Sequence, residues 1–589
     1  MYWTPRGARR ATSALLCLAA LVACADDPVV PNAPQRSPIR PVAAVTPPPG
    51  ASVSSAVIVP PSMQTSPFNT TRLLTIPPSF AISVYARVSG ARFMAVTPDG
   101  NLLVSRPGAG SVMLVRPNGT GDPLVTTYVS GLRRPHDLVF HAIGTTTYVY
   151  VAETNQINRY VYTAGSLTPG TRQIVVTGLP DASSPELNGS YGHELKNIAL
   201  DANDKLYVSI ASTCNVCTSD TQSNPVRASV YVYDADGTNG RLFARGLRNA
   251  EGLAMIPGTS TLWVVVNNRD DIPYPFDDAS GNYGRVFSGY VDNHPPDEFT
   301  RVRDGGNYGW PFCNPNPDTP GGLVDMPFDL DYNMNRTGAV DCAAMDRINR
   351  GIQAHSAPLG LTFFQNTTAP ELYRAGAGVA LHGSWNRTQK TGYKVVFFPW
   401  DALTQLPGDQ VDLVTGWADA FSNWGRPVDV AVDPAGAILI SDDQAGAIYK
   451  LTSTTTPPPP PPPAQAVASF TLINAETDQP IAGYDPIPSG ANINLFTLPT
   501  RNVNIRANTS PATVGSVQFG WDGNATYRTD DAAPYSVGGD NAGDYTTWDL
   551  PTGNHTLTGT PYAGAGATGA AGTAHTLTFK VTDKRRGKP

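Results

Sequence analysis

Short apolar runs separated by turn-forming residues recur through the middle of the chain. From Met94 to Ser105 the sequence reads MAVTPDGNLLVS, two apolar strands joined across a Pro-Asp-Gly turn. Equivalent pairs begin near Asp137, Asn197, Gly252, Leu359 and Asp429. Each copy predicts a β-meander, and six copies predict a six-bladed β-propeller. The widest interval, from Gly252 to Leu359, predicts a long insertion. Beyond residue 466 the pattern changes to strict alternation, as in Val503-Asn504-Ile505-Arg506 and Thr576-Leu577-Thr578-Phe579-Lys580-Val581. Alternation marks half-buried strands, and Gly-, Asn- and Asp-rich turns at sandwich spacing separate them. An immunoglobulin- or fibronectin-like β-sandwich is expected there. The overall expectation is an all-β, two-unit protein.

Composition agrees. The 589 residues include 55 Gly and 55 Pro, which penalise helix interiors and supply turns. The formal net charge of -7 excludes the basic surface that a nucleic-acid partner requires. Low-complexity stretches set the boundaries. A Pro-rich tether is expected over 24–69, the propeller over 70–453, a polyproline linker over 454–465 and the sandwich over 466–589.

Residues 1–23 read as a signal peptide. Arg6, Arg9 and Arg10 precede the apolar run 14–23, which is too short to span a bilayer. Leu21-Val22-Ala23-Cys24 resembles a bacterial lipoprotein signal, which makes Cys24 the expected lipidation site. An exported lipoprotein is expected, held at a membrane by its lipid and facing the periplasm or the cell surface. Export into an oxidising compartment favours disulfides among Cys214, Cys217, Cys313 and Cys342. Of the three possible pairings, the local pairs 214–217 and 313–342 are expected. The spacing of Cys214 and Cys217 also admits a metal or redox site, but the other pair supplies no matching ligand set.

The residues leading into the six repeats carry the candidate chemistry. They are Arg92, His136, His193 with Lys196, Arg248 with Asn249, His355, and Arg426. In a propeller such segments converge on one end of the axis. A ring of basic and imidazole groups there predicts a cationic funnel for a small anionic ligand.

Several segments carry a resemblance. Gly192-His193-Glu194-Leu195-Lys196-Asn197, Gly246-Leu247-Arg248-Asn249-Ala250-Glu251-Gly252, Asn307-Tyr308-Gly309-Trp310-Pro311, His382-Gly383-Ser384-Trp385-Asn386-Arg387 and Trp424-Gly425-Arg426-Pro427 appear in that order. As a set they resemble the sorbosone dehydrogenase-like family, relatives of the soluble quinoprotein glucose and aldose dehydrogenases. The resemblance implies a six-bladed propeller that binds pyrroloquinoline quinone (PQQ) and Ca²⁺ and oxidises an aldose or related sugar aldehyde at C1. Electrons would pass to an external acceptor, a quinone or cytochrome. It implies His193 as general base and Arg248 as a group that stabilises developing charge. Arg92, Lys196, Arg248, Asn249, Arg387 and Arg426 would bind PQQ, and Asn268, Arg269 and Asp270 would lie at the calcium. The alternative is a non-catalytic propeller that binds carbohydrate or serves adhesion.

Overall fold

The computed structural model describes residues 52–401, 403–419, 422–454 and 465–584. Six sheets of four or five strands, antiparallel except for one short parallel pairing at the edge of the third, follow one another along the chain, and their first strands lie side by side in a closed ring. Those inner strands are Met94–Val96, Leu138–Ile143, Ile198–Leu200, Ala250–Met255, Pro358–Phe363 and Pro427–Val432. Each coincides with one of the six sequence repeats. The last inner strand packs against the first, so the ring is a six-bladed propeller.

The sixth blade is completed from the far end of the sequence. Ala447–Ser453 pairs with Phe80–Arg87, so a strand preceding the first blade becomes the outer strand of the last. Ring closure therefore rests on backbone hydrogen bonds between the two ends of the unit. Burial follows position within each blade. Leu262–Val266 and Gly376–Leu381 are buried at every residue, because neighbouring blades cover both faces. Phe80–Arg87, on the outside, alternates buried and half-buried positions.

The long insertion lies within the fourth blade. Asp297–Val302 is followed by 303–347 before the outer strand Ile348–Ile352 returns to pair with it. Disulfide Cys313–Cys342 staples that insertion, and Cys214–Cys217 closes a small loop after Lys205–Ile210. Both expected local pairings are formed.

The N-terminal boundary is corrected. The segment 53–69, assigned to the tether, is folded onto the propeller. Val53–Ala56 pairs with Leu73–Ile76, and Val57, Met63 and Phe68 enter a core cluster with Trp417 and Tyr449. Three buried apolar side chains anchor a stretch that is otherwise largely exposed and whose prolines suggested an extended tether. The expected signal peptide, Cys24, the tether as far as residue 51 and most of the polyproline linker lie outside the described residues. Among the described residues, no helix is long and apolar enough to cross a membrane.

The C-terminal unit has two sheets around one core. Ala466–Asn474 pairs with Val503–Ser510 in one, and Ser516–Trp521, Gly553–Gly564 and His575–Thr582 form the centre of the other. Phe470, Leu472, Ile505, Phe519, Leu557 and Phe579 lie between them. Tyr535, Tyr545 and Trp548 are buried as core aromatics, whereas Tyr527 is exposed.

Candidate active site at the mouth of the propeller axis

All six chemistry-bearing segments end at the first residues of the inner strands, which brings them to one end of the axis. Buried carboxylates hold this end together. Asp137 of the second blade accepts from the Ile198 N–H of the third at 2.9 Å, and Asp429 of the sixth accepts from Met94 N–H of the first at 2.8 Å. Asp297 of the fourth accepts from Ala357 N–H, just before the fifth, at 3.0 Å. Below the mouth, Phe93, Leu359 and Val428 form a small apolar plug, with the His136 ring 4.5 Å from that of Phe93.

His193 is half-buried, and its Nδ1 lies 2.9 Å from the Ser212 carbonyl oxygen. A carbonyl can only accept, so Nδ1 carries the proton and the Nε2 lone pair is left available. Among the described residues Nε2 has no protein partner. Burial lowers the pKa of His193, and the Arg248 cation lowers it further. The ring is therefore neutral at pH 7, the form that accepts a proton.

Arg248 is buried and thoroughly engaged. Its Nε donates to Asn215 O at 3.1 Å, Nη2 to Asn215 Oδ1 at 3.1 Å, and Nη1 to Asn268 O at 2.8 Å. Asp270 lies 3.7 Å from Nη2 and 3.5 Å from His355 Nδ1. Burial brings the Arg248 pKa down to about 10, so the group stays charged at neutral pH. Burial raises Asp270, but His355 and Arg248 outweigh it and the net shift is down. Burial lowers His355, and the Asp270 hydrogen bond with the Asp297 charge turns the net shift upward.

The cationic funnel expected from sequence is corrected here, because carboxylates accompany its cations. Arg92 donates to Asp443 at 2.9 Å, and the same carboxylate lies 3.0 Å from His382 Nε2. Arg133 pairs with Asp181 at 2.8 Å, Arg134 pairs with Glu194, and His136 Nε2 lies 3.2 Å from Glu251. Asn249 donates to Glu251 at 3.1 Å. Burying cations without counter-charges would cost several kcal/mol each, and the carboxylates offset that. The mouth is a balanced ion network. Sequence reasoning missed Glu194, Glu251 and Asp443 because only cations were counted, although Glu194 and Glu251 sit inside the quoted motifs.

The other expected ligands divide. Lys196 is fully buried, donates to Glu194 O and lies 4.9 Å over the Tyr191 ring. Burial lowers its pKa to about 7. Arg426 is turned to backbone, donating to His382 O at 2.9 Å and Gly383 O at 3.1 Å. Arg387 donates to Asp292 O. These two shape the rim and anchor its loops.

The fit to calcium fails at the residues expected to hold it. Asn268 donates its amide to Pro296 O at 2.6 Å and Glu298 at 2.9 Å, and its carbonyl accepts from Arg248. Arg269 pairs with buried Asp331. Asp270 faces two cationic partners. Segment 268–270 is a hydrogen-bonded hinge between Arg248 and the insertion, without the converging free oxygens that calcium takes. The fit to a flat anionic quinone is better. Among the described residues, Arg92 has a buried Nε with no acceptor, and His193 offers its free Nε2 at the same end of the axis.

The pattern of the TrAA12-like family matches residues 76–454, which is the whole propeller. The chain belongs to the TrAA12-like family. A pyrroloquinoline quinone-dependent pyranose dehydrogenase of Coprinopsis cinerea is 24% identical over 338 residues, covering 49% of this chain and 42% of that enzyme. The chain therefore spans less than half the length of that relative. An uncharacterized protein of Borreliella burgdorferi is 24% identical over 393 residues, covering 65% of this chain and 91% of that one. The holo PQQ domain of the Coprinopsis cinerea pyranose dehydrogenase superposes with a TM-score of 0.55 at 21% identity, over 67% of this chain and 100% of that domain. A calcium structure of the Trichoderma reesei carbohydrate-active enzyme of family AA12 gives 0.53 at 21% identity, over 64% of this chain and 97% of that one. For this TrAA12-like chain, those superpositions establish the propeller fold.

Proposed function

We propose that the propeller is a PQQ-dependent dehydrogenase that oxidises a pyranose or related sugar aldehyde at C1. The observation that carries this reading is His193, with its proton fixed on Nδ1 by Ser212, its Nε2 free, and Arg248 beside it. His193 would take the proton from the sugar C1 hydroxyl or aldehyde hydrate at Nε2. Loss of that proton makes the carbon a better hydride donor, a contribution of about 10²–10⁴ in rate. Arg248 would stabilise negative charge on the oxidised oxygen. Bound PQQ would supply the two-electron acceptor. Arg92 would meet one of its anionic groups through the unpartnered Nε, and the apolar plug of Phe93, Leu359 and Val428 would close the axis beneath it. A Trichoderma reesei relative of family AA12 has a calcium structure, so Ca²⁺ is varied in the test, and no step is assigned to it. Sorbosone or an aldose remains the substrate class. The reading includes an external quinone or cytochrome as acceptor, and export with lipid attachment at Cys24.

The test adds PQQ to the purified protein, with Ca²⁺ or with a chelator, and screens pyranoses and sugar aldehydes using an artificial electron acceptor. Reduction that requires both sugar and PQQ supports the reading. Absence of PQQ binding together with absence of turnover would overturn it and leave a carbohydrate-binding or adhesion propeller.

A further inference from the structure

The disulfide loop Cys214–Cys217 lies against the candidate site, and Asn215, one of the two residues it encloses, makes five hydrogen bonds there. Asn215 O accepts from Arg248 Nε at 3.1 Å and from Trp310 Nε1 at 3.2 Å. Its Oδ1 accepts from Arg248 Nη2 at 3.1 Å and Asp270 N–H at 2.8 Å, while Nδ2 donates to Asp270 O at 2.8 Å. Ser212, just before the loop, holds the imidazole. Ser212 O accepts from His193 Nδ1, Ser212 N–H donates to Arg248 O at 2.8 Å, and Ser212 Oγ donates to Cys214 O at 2.9 Å. Thr213 is fastened to buried Asp220 through both its N–H, at 2.6 Å, and its hydroxyl, at 2.8 Å.

We propose that Asn215 is a positioning residue, and that the Cys214–Cys217 disulfide makes the order of the site sensitive to thiols. An asparagine on an open loop would lose conformational freedom in making five bonds. A ring closed across two intervening residues removes most of that freedom in advance. A disulfide stabilises the whole fold less when it closes fewer residues, so this one acts chiefly on its own loop. Cys214 and Cys217 are both half-buried, whereas in the second disulfide Cys342 is half-buried and Cys313 only 1% exposed, so the small ring alone presents both of its sulfurs to a reductant. A dithiol would transfer two electrons and two protons, breaking the S–S bond into two thiols and leaving as its own cyclic disulfide. Arg248 would then lose the two acceptors on Asn215 and keep only the backbone acceptors of Nη1, so its charge would be held less firmly beside His193.

Only the activity arm of the test rests on the dehydrogenase reading. Protein labelled with ¹³C at histidine Cε1, with eight histidines to resolve, is titrated by NMR. Wild type is compared with Asn215→Ala, with Cys214→Ser/Cys217→Ser, and with Cys313→Ala/Cys342→Ala as control. The His193 midpoint is expected to rise by about half a unit or more in the first two and to stay in place in the control. Mild dithiol on wild type should reproduce the rise, and reoxidation should reverse it. This measurement decides the matter if a variant fails to fold. With PQQ and a pyranose, kcat should fall about tenfold or more while KM changes less. An unchanged His193 midpoint after loop reduction and in both variants would overturn the proposal. If wild type oxidises no sugar, the functional reading fails, and the titration still decides this one.

Discussion

The Ser212 carbonyl oxygen can only accept, so one short contact determines the tautomer of His193 and with it the direction of proton transfer. His193→Gln should keep the fold and lower kcat by about 10²–10⁴, measured with saturating PQQ and sugar. The pH profile follows from the sign of the shift. Burial and Arg248 hold His193 below its ordinary range, so it stays neutral as pH falls to 6.5 and is protonated only below that. The acid limb of kcat/KM is therefore expected below pH 6.5. Removing the neighbouring charge with Arg248→Met should move that limb upward and lower kcat, as steady-state rates from pH 4 to 8 would reveal. His193, Lys196, Arg248 and Asn249 were legible as a group because they precede strands. Asn215 and Asp443 were not, because each comes from a different blade or loop and no local pattern links them. Asp270 was legible only as a calcium residue and not as the partner of Arg248 and His355.

At the scale of the strand, the blades are joined by carboxylates that accept from the first N–H of a neighbour's inner strand. Asp429 is the clearest. It is fully buried, and burial raises its pKa to about 7. A carboxyl raised in the fold keeps its proton to higher pH than in the unfolded chain. Its contribution is complete below the ordinary carboxyl range and is lost as pH rises toward 7. Asp429→Asn keeps an acceptor for Met94 N–H and cannot ionise, so the melting temperature should depend less on pH between 4 and 8 than in wild type. Asp429→Ala leaves that buried N–H unpartnered and should cost about 1–3 kcal/mol. The same contact explains Gly360. A Cβ there would lie 2.6 Å from the Asp429 Cα, a backbone atom that cannot yield without shifting the sixth blade. Gly360→Ala should destabilise by about 1–3 kcal/mol in denaturant unfolding.

Across the whole molecule, ring closure depends on Phe80–Arg87 pairing with Ala447–Ser453. Removing residues through Arg87 would expose the long edge of the sixth blade and uncover Tyr449 and Leu451. Such a chain should lose its cooperative propeller melting transition and aggregate, as calorimetry and size-exclusion chromatography would show. The repeat count was visible in the sequence because each inner strand and its neighbour are adjacent in the chain and share one apolar–turn–apolar signature. Closure was not visible, since its partners stand more than 350 residues apart. The folding of 53–69 was hidden for a related reason. Its prolines dominate the local composition, whereas its anchoring through Val57, Met63 and Phe68 depends on distant Trp417 and Tyr449.

By itself the sequence determined the all-β class, the six repeats, the second unit, the two local disulfides and the strand-leading histidines and arginines. All of these depend on spacing along one stretch of chain. Only the tertiary structure decided the electrostatics of the mouth. Residue types declare which groups are cationic, but Coulomb energy depends on distance through space and on desolvation. The Asp443, Glu251 and Asp270 counter-charges reach the axis from other parts of the propeller. They turn the expected positive funnel into a balanced network in which, among the described residues, His193 Nε2 and Arg92 Nε have no hydrogen-bond partner.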